Sequence, residues 1–240
     1  MKICFVDNTN FQYDSESINS EKLRGAETVL INITKELNLL GNEITVINNC
    51  STSRMIENIN WVNINTIKSV DYFDAVIANG DCNLFKYAIS NNNILFSHSL
   101  QSLEKFIRKK QLLSYLKYKP KVCFLSQYHK KNRSKFLYFF GHINLRWAVD
   151  DIFLKSEIPS EINNNQGIFI SRPDRNLELL LDIWKNNIIN KNDKLKLLAT
   201  ENSYNFKDNS IIPRKLDDRN KLIKDLKSSR VCLIPGHKAE

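Results

Sequence analysis

The feature that most constrains this chain is an alternation of two patterns. Short apolar runs rich in β-branched and aromatic residues take turns with longer stretches whose apolar residues recur at helical spacing. Strands that alternate with helices build parallel sheets, because each crossover helix packs back across the sheet it left. Lys2–Val6 is the first run. Residues 26–40 follow as a helix with Val29, Leu30, Ile33 and Leu37 on one side, Gly41 stops it, and 43–47 reads as the next strand. Further strands are expected at 61–64, 75–78, 93–96 and 122–125, with helices at 82–90 and 100–118.

The alternation lapses over 154–166, which is polar, contains a proline and has no period, and is expected to be a linker. It separates a first domain, 1–153, from a second block, 167–240. That block reads as strand 167–171, helix 176–185, strands 194–200 and 210–212, helix 218–228 and strand 231–234. The fold class expected is α/β with two Rossmann-like domains. The second is expected to be incomplete, since about 75 residues are roughly half of what such a domain needs.

A hydrophobic content of 42% over 240 residues is enough for a packed core. No run approaches the ~18 apolar residues of a spanning helix, and the amino terminus turns acidic at Asp7, too early for a signal peptide. A cytoplasmic protein is expected. The five cysteines are odd in number, far apart and free of any Cys-x-x-Cys pair. They read as reduced, buried small hydrophobes, not as metal ligands or disulfides.

Charge is unevenly placed. Twelve of the 35 Lys and Arg residues fall between Lys105 and Arg146, a segment without a single Asp or Glu, so the whole formal excess of +9 is local. Such a field suits a phospholipid surface, a lipid-linked phosphate or a nucleic acid, or else it is a solvated helix face. Within 100–118, Leu103, Phe106, Ile107, Leu113 and Leu116 make one face and Lys105, Arg108, Lys109 and Lys117 much of the rest. That helix suits an anionic membrane or the cover of a sheet. Tyr115, Tyr118 and Tyr128 offer faces for stacking on bases, yet no nucleic-acid motif accompanies them, and that partner ranks last.

Four places carry chemistry. Arg24-Gly25-Ala26-Glu27 opens the first helix, where exposed N–H groups and the helix dipole favour an anion and glycine permits close approach; an ordinary turn with Glu27 on the dipole is the alternative. Ser97-His98-Ser99 ends a strand in an imidazole able to bond a sugar hydroxyl or phosphate, to act as a base, or to serve structure alone. Arg172-Pro-Asp-Arg175-Asn176 ends the first strand of the second block with two guanidinium groups, suited to clamp a diphosphate or to pair with Asp174 on the surface. The apolar run from Val231 ends in Pro235-Gly236-His237-Lys238-Ala239-Glu240, a loop that delivers a carboxylate at a strand's end.

Taken in order, with Phe124-Leu-Ser126 and Trp147-Ala-Val149-Asp150-Asp-Ile-Phe153 between them, these places resemble the retaining glycosyltransferases of family 4, also called glycosyltransferases group 1. The resemblance implies the GT-B arrangement, with the acceptor mainly on the first domain and a UDP or GDP sugar mainly on the second, and no cofactor or metal. It implies that Gly25 lies beside the donor phosphate or acceptor and that His98 faces the reacting sugar. Arg172 and Arg175 would neutralise the diphosphate. Glu240 resembles the first glutamate of the Glu-x7-Glu motif, which holds the donor sugar; the second would lie beyond residue 240, so a truncated second domain is expected. The chain departs from the family at Arg24-Gly25 for Gly-Gly, at Trp147-Ala-Val149-Asp150 for Asn-Gly-Val-Asp, and at the short Arg172 to Arg175 spacing. The activity implied is sugar transfer to a glycan, lipid or other acceptor; a non-catalytic module on the same fold, binding a polyanion or membrane surface, is the alternative.

Overall fold

A computed structural model describes every residue except 20–22, 99–100, 147, 150, 156–161, 201–207, 216–218 and 236–240. The chain divides into two compact units, Met1–Ala148 and Val149–Glu240. The first runs β1 (Lys2–Val6), α1 (Gly25–Leu39), β2 (Glu43–Asn48), β3 (Arg54–Ile56), β4 (Ile59–Asn63), β5 (Ala75–Asn79), β6 (Asn93–Ser97), α2 (Leu103–Arg108), α3 (Leu112–Tyr118), β7 (Lys121–Phe124), α4 (Gln127–Lys131) and β8 (His142–Asn144). Its sheet has the order β3-β4-β2-β1-β5-β6-β7-β8. All neighbours are parallel except β3 and β4. That pair is a two-residue hairpin in which Glu57 and Asn58 both take positive φ, 51° and 62°, the turn whose twist matches that of its strands.

Strand β1 sits between β2 and β5 and is buried on both faces. Ile3 and Phe5 pack with Leu30 and Ile31 of α1 and with Ile44, Val46, Ile59 and Trp61. Cys4 and Val6 pack on the opposite side with Val76, Ala78, Leu95, Phe106, Tyr115 and Val122. Each large apolar side chain so buried contributes about 1.5–3 kcal/mol, which is why the apolar runs read so clearly as strands.

The single helix expected over 100–118 is two helices. Lys110 takes a left-handed φ of 53° between α2 and α3. Gln111 there is fully buried, its N–H donating to the Phe106 carbonyl at 2.8 Å and its side-chain carbonyl accepting from the Cys82 N–H at 3.2 Å. The helix expected at 82–90 is a short 3₁₀ segment, Cys82–Tyr87, capped by the Asp81 side chain.

The second unit runs α5 (Asp151–Lys155), β9 (Asn163–Phe169), α6 (Leu177–Ile183), β10 (Lys196–Thr200), β11 (Ile211–Arg214), α7 (Arg219–Ser228) and β12 (Ser229–Cys232). Its sheet has the order β11-β10-β9-β12 and is parallel throughout. Phe169, Leu177, Leu180, Leu181, Trp184, Leu197, Ala199 and Ile211 form its core, and the Trp184 indole N–H donates to Ser210 Oγ at 3.1 Å. Residues 163–166, polar enough to read as linker, are the first half of β9. The run from Val231, which reads as a buried strand, is exposed: Val231 is 47% and Ile234 76% accessible. Strand β12 is the outermost described strand of its sheet, so an apolar sequence there is not matched by burial. Cys232 on it is exposed, whereas Cys4, Cys50, Cys82 and Cys123 are buried as expected; all five are free thiols.

Candidate functional site

Both sheets reverse direction at their first strand. From β1 the chain adds β2 and β4 on one side, then β5 to β8 on the other; from β9 it adds β10 and β11, then β12. In an open parallel sheet, ligands bind outside the carboxyl ends of the strands at such a reversal. The candidate positions are therefore the residues that follow β1 and β5, and those that follow β9.

Asp7 continues β1, its N–H donating to the Ile47 carbonyl at 2.9 Å, and the residue is only 2% accessible. Three donors satisfy it. Tyr13 Oη donates to Oδ2 at 2.8 Å, the Thr9 N–H donates to the same oxygen at 3.1 Å, and Asn79 Nδ2 donates to Oδ1 at 2.8 Å. A buried carboxylate persists only with such a set of partners. Burial and the neighbouring Asp7 push the Tyr13 hydroxyl far above its ordinary range, which keeps it a donor.

Asn79, the last residue of β5, turns its amide oxygen toward His98 Nε2 at 2.8 Å. The imidazole stands edge-on to the Phe96 ring, with centroids 4.6 Å apart. Burial lowers its pKa, Asp7 opposes that shift, and His129 adds to it. On the α1 side, Thr9 Oγ1 donates to Glu27 Oε1 at 2.9 Å. Glu27 is buried, and its Oε2 has no hydrogen-bond partner among the described residues. Gly25, the first residue of α1, has open space where a side chain would stand. A carboxylate thus takes the positive end of this helix dipole, and the space beside Gly25 suits a ligand that donates hydrogen bonds as well as one that accepts them.

His98 lies in this cluster and Gly25 opens the adjoining helix. Sequence reasoning treated Glu27 only as a charge on the dipole and did not single out Asp7, Asn79 or Tyr13. The signal that finds Asp7 and Asn79 is the one that found His98, a polar residue at the carboxyl end of an apolar run. Next along the sheet, the buried Arg133 guanidinium lies against the Phe124 and Tyr138 rings and donates to Tyr138 Oη at 3.3 Å.

Arg172 and Arg175 fall in the turn that follows β9. Arg172 Nη2 bonds Asp174 Oδ2 at 2.9 Å with both side chains more than half exposed, and the Arg175 N–H donates to the Arg172 carbonyl at 2.9 Å. The surface pairing weighed from the sequence is therefore present; an exposed pair of this kind contributes little stability. Glu240, Trp147 and Asp150 lie outside the described residues. Among the described residues no group of three or more His, Cys, Asp or Glu side chains is arranged to hold a metal ion.

The basic segment is not a simple sheet cover. Phe106 and Tyr115 turn into the core, whereas Leu103, Ile107, Leu113 and Leu116 are exposed, Leu113 by 81%. Tyr115 is enclosed by Phe106, Phe136 and Phe140, which removes it as a stacking platform for bases. A cavity of about 530 Å³ is lined by residues including Lys2, Glu43, Thr45, Asn60, Tyr72 and Tyr87, and by none of Asp7, Thr9, Tyr13, Glu27, Asn79 and His98.

The chain matches no protein-family profile and no curated protein. Among solved structures it is similar to sucrose-phosphate synthase from Thermosynechococcus elongatus, with a TM-score of 0.60 and 10% sequence identity over 99% of this chain and 76% of that one. The likeness shows a shared fold. The two sheet-bearing units are broadly consistent with a GT-B-like pair of Rossmann-like domains.

The depressed pKa of His98 has a pH signature. The unfolded chain takes up a proton near the ordinary histidine value of 6.5, and the folded chain does so only at lower pH. Stability linked to His98 is thus fully present above pH 6.5 and declines as pH falls below it toward the folded pKa. The urea midpoint of the wild type should rise between pH 5 and pH 7, more steeply than that of His98→Gln; equal slopes would contradict the burial of a neutral imidazole.

Proposed function

We propose that this chain belongs to a retaining glycosyltransferase that moves a sugar from a nucleoside diphosphate sugar to a glycan, lipid or other acceptor. The observation that carries the reading is the convergence of Asp7, Asn79 and His98 at the carboxyl ends of β1, β5 and β6, where the strand order reverses. The shared fold and the arginine pair after β9, the equivalent position of the second sheet, support it.

In this reading the bond from the sugar's anomeric carbon to the diphosphate oxygen breaks, a bond to the acceptor oxygen forms on the same face, and the acceptor hydroxyl gives its proton to the departing phosphate oxygen. Negative charge develops on the departing diphosphate. Arg172 and Arg175 stabilise it, Arg172 by exchanging Asp174 for phosphate oxygens, and such electrostatic stabilisation is usually the largest catalytic contribution. His98, kept neutral by burial, orients a hydroxyl of the reacting sugar. Gly25 admits a phosphate or the acceptor beside α1, and Glu240 holds the donor sugar. The domain division proposed is 1–153, a linker over 154–166 and 167–240, amended at β9, whose residues 163–166 belong to the second domain. Release of UDP or GDP from the corresponding nucleotide sugars in the presence of candidate acceptors tests the reading. Arg172→Ala is expected to lower kcat by roughly 10²-fold while leaving the acceptor KM unchanged. Equal turnover would refute the role of Arg172, and no release across the donor panel would refute the transfer itself.

A second reading concerns where the chain works. Four aliphatic side chains exposed beside a cluster of Lys and Arg on α2 and α3 favour peripheral attachment to an anionic membrane surface. Among the described residues no helix is long and apolar enough to cross a membrane. The chain should co-sediment with phosphatidylglycerol vesicles at low salt and less so as salt rises, and a double Ile107→Asp, Leu113→Asp variant should lose most of that binding. Absence of binding at low salt, or a variant that binds as well as the wild type, would contradict attachment through this surface.

A further inference from the structure

We propose that Asn79 is a positioning residue which, anchored on Asp7, holds His98 as the neutral tautomer protonated at Nε2, so that Nδ1 is the acceptor of the ring. Donor and acceptor identities alone fix the tautomer. The Asp7 carboxylate accepts hydrogen bonds and is already held by Tyr13 Oη and the Thr9 N–H. The group of Asn79 that meets Asp7 Oδ1 at 2.8 Å must therefore be its NH₂. That choice turns the Asn79 amide oxygen to His98, and an amide oxygen can only accept. At 2.8 Å Nε2 must carry the proton, since the other neutral tautomer would set two lone pairs against each other.

The chain of contacts Asp7, Asn79, His98 spans three adjacent parallel strands, β1, β5 and β6, so the register of the sheet sets its geometry. The edge of the imidazole against Phe96 holds the ring plane. Any hydroxyl that His98 takes is then received at Nδ1. The nature of that hydroxyl, a sugar's, rests on the sugar-transfer reading; the tautomer does not.

The test is nitrogen NMR on the uniformly ¹⁵N-labelled chain, at a pH above the His98 titration, with His98→Gln to assign its signals among the four histidines. The wild type is expected to show a protonated, pyrrole-type Nε2, a pyridine-type Nδ1, and a slowly exchanging Nε2–H proton. Asn79→Ala is expected to lose the slow exchange of that proton and to shift both nitrogens away from their wild-type values. A pyridine-type Nε2 in the wild type would overturn the proposal whether or not any variant folds. So would an Asn79→Ala spectrum in which the shifts and the slow proton persist. Neither readout depends on catalysis, so a chain that transfers no sugar but shows the fixed tautomer refutes the transfer reading alone.

Discussion

Nothing in strand β1 can move without disturbing both halves of the first sheet. Ile3 and Phe5 belong to one core and Cys4 and Val6 to the other, and its backbone is bonded to β2 on one edge and β5 on the other. A parallel strand in that position is fixed in register, because a shift by one residue would exchange the two buried faces. Asp7 is the next residue, so its carboxylate is held in place by the entire sheet.

A fixed carboxylate out of water demands donors, and the neighbouring elements supply them from far apart in sequence. Asn79 is 72 residues away, while Tyr13 and Thr9 come from the loop that leads to α1. Because Asn79 also meets His98, the orientation of the imidazole descends from the packing of β1. The second unit repeats the topology around β9, and the loop at that strand's carboxyl end carries Arg172 and Arg175. The polar residues are unlike, but Asp7 follows the first strand of its sheet as Arg172 and Arg175 follow the first strand of theirs, as expected where function lies at the reversal of strand order.

How much of this was legible follows from which forces leave a mark in sequence. Buried parallel strands announce themselves as apolar runs, hence β1, β2, β5, β6 and β7. The edge strands β3 and β8 of the first sheet are held by backbone bonds and show no such run, whereas the edge strands β11 and β12 of the second do read as strands; Asn163 to Gln166 of β9 read as linker. The break at Lys110 has neither Gly nor Pro to mark it. It depends on Gln111 reaching the Cys82 backbone, a contact that periodicity within one helix cannot reveal. His98 stands out because imidazole is chemically conspicuous; Asp7 and Asn79 carry the same mark, a polar residue closing an apolar run, but their contact with each other and with His98 exists only in the folded sheet. Arg172 shows the converse case, since its pairing with Asp174 is local and was readable from a spacing of two residues.

The most direct test of the account is to titrate the ¹⁵N-labelled chain with UDP-glucose or GDP-glucose and map the backbone amide shifts. The largest changes are expected after β1 around Asp7 and Thr9, at Asn79, Gly80 and His98, at the start of α1, and in the Arg172 turn after β9. Changes gathered instead around the cavity lined by Lys2, Glu43, Tyr72 and Tyr87, or none at all at millimolar nucleotide sugar, would contradict the claim that the carboxyl ends of the central strands bind the ligand.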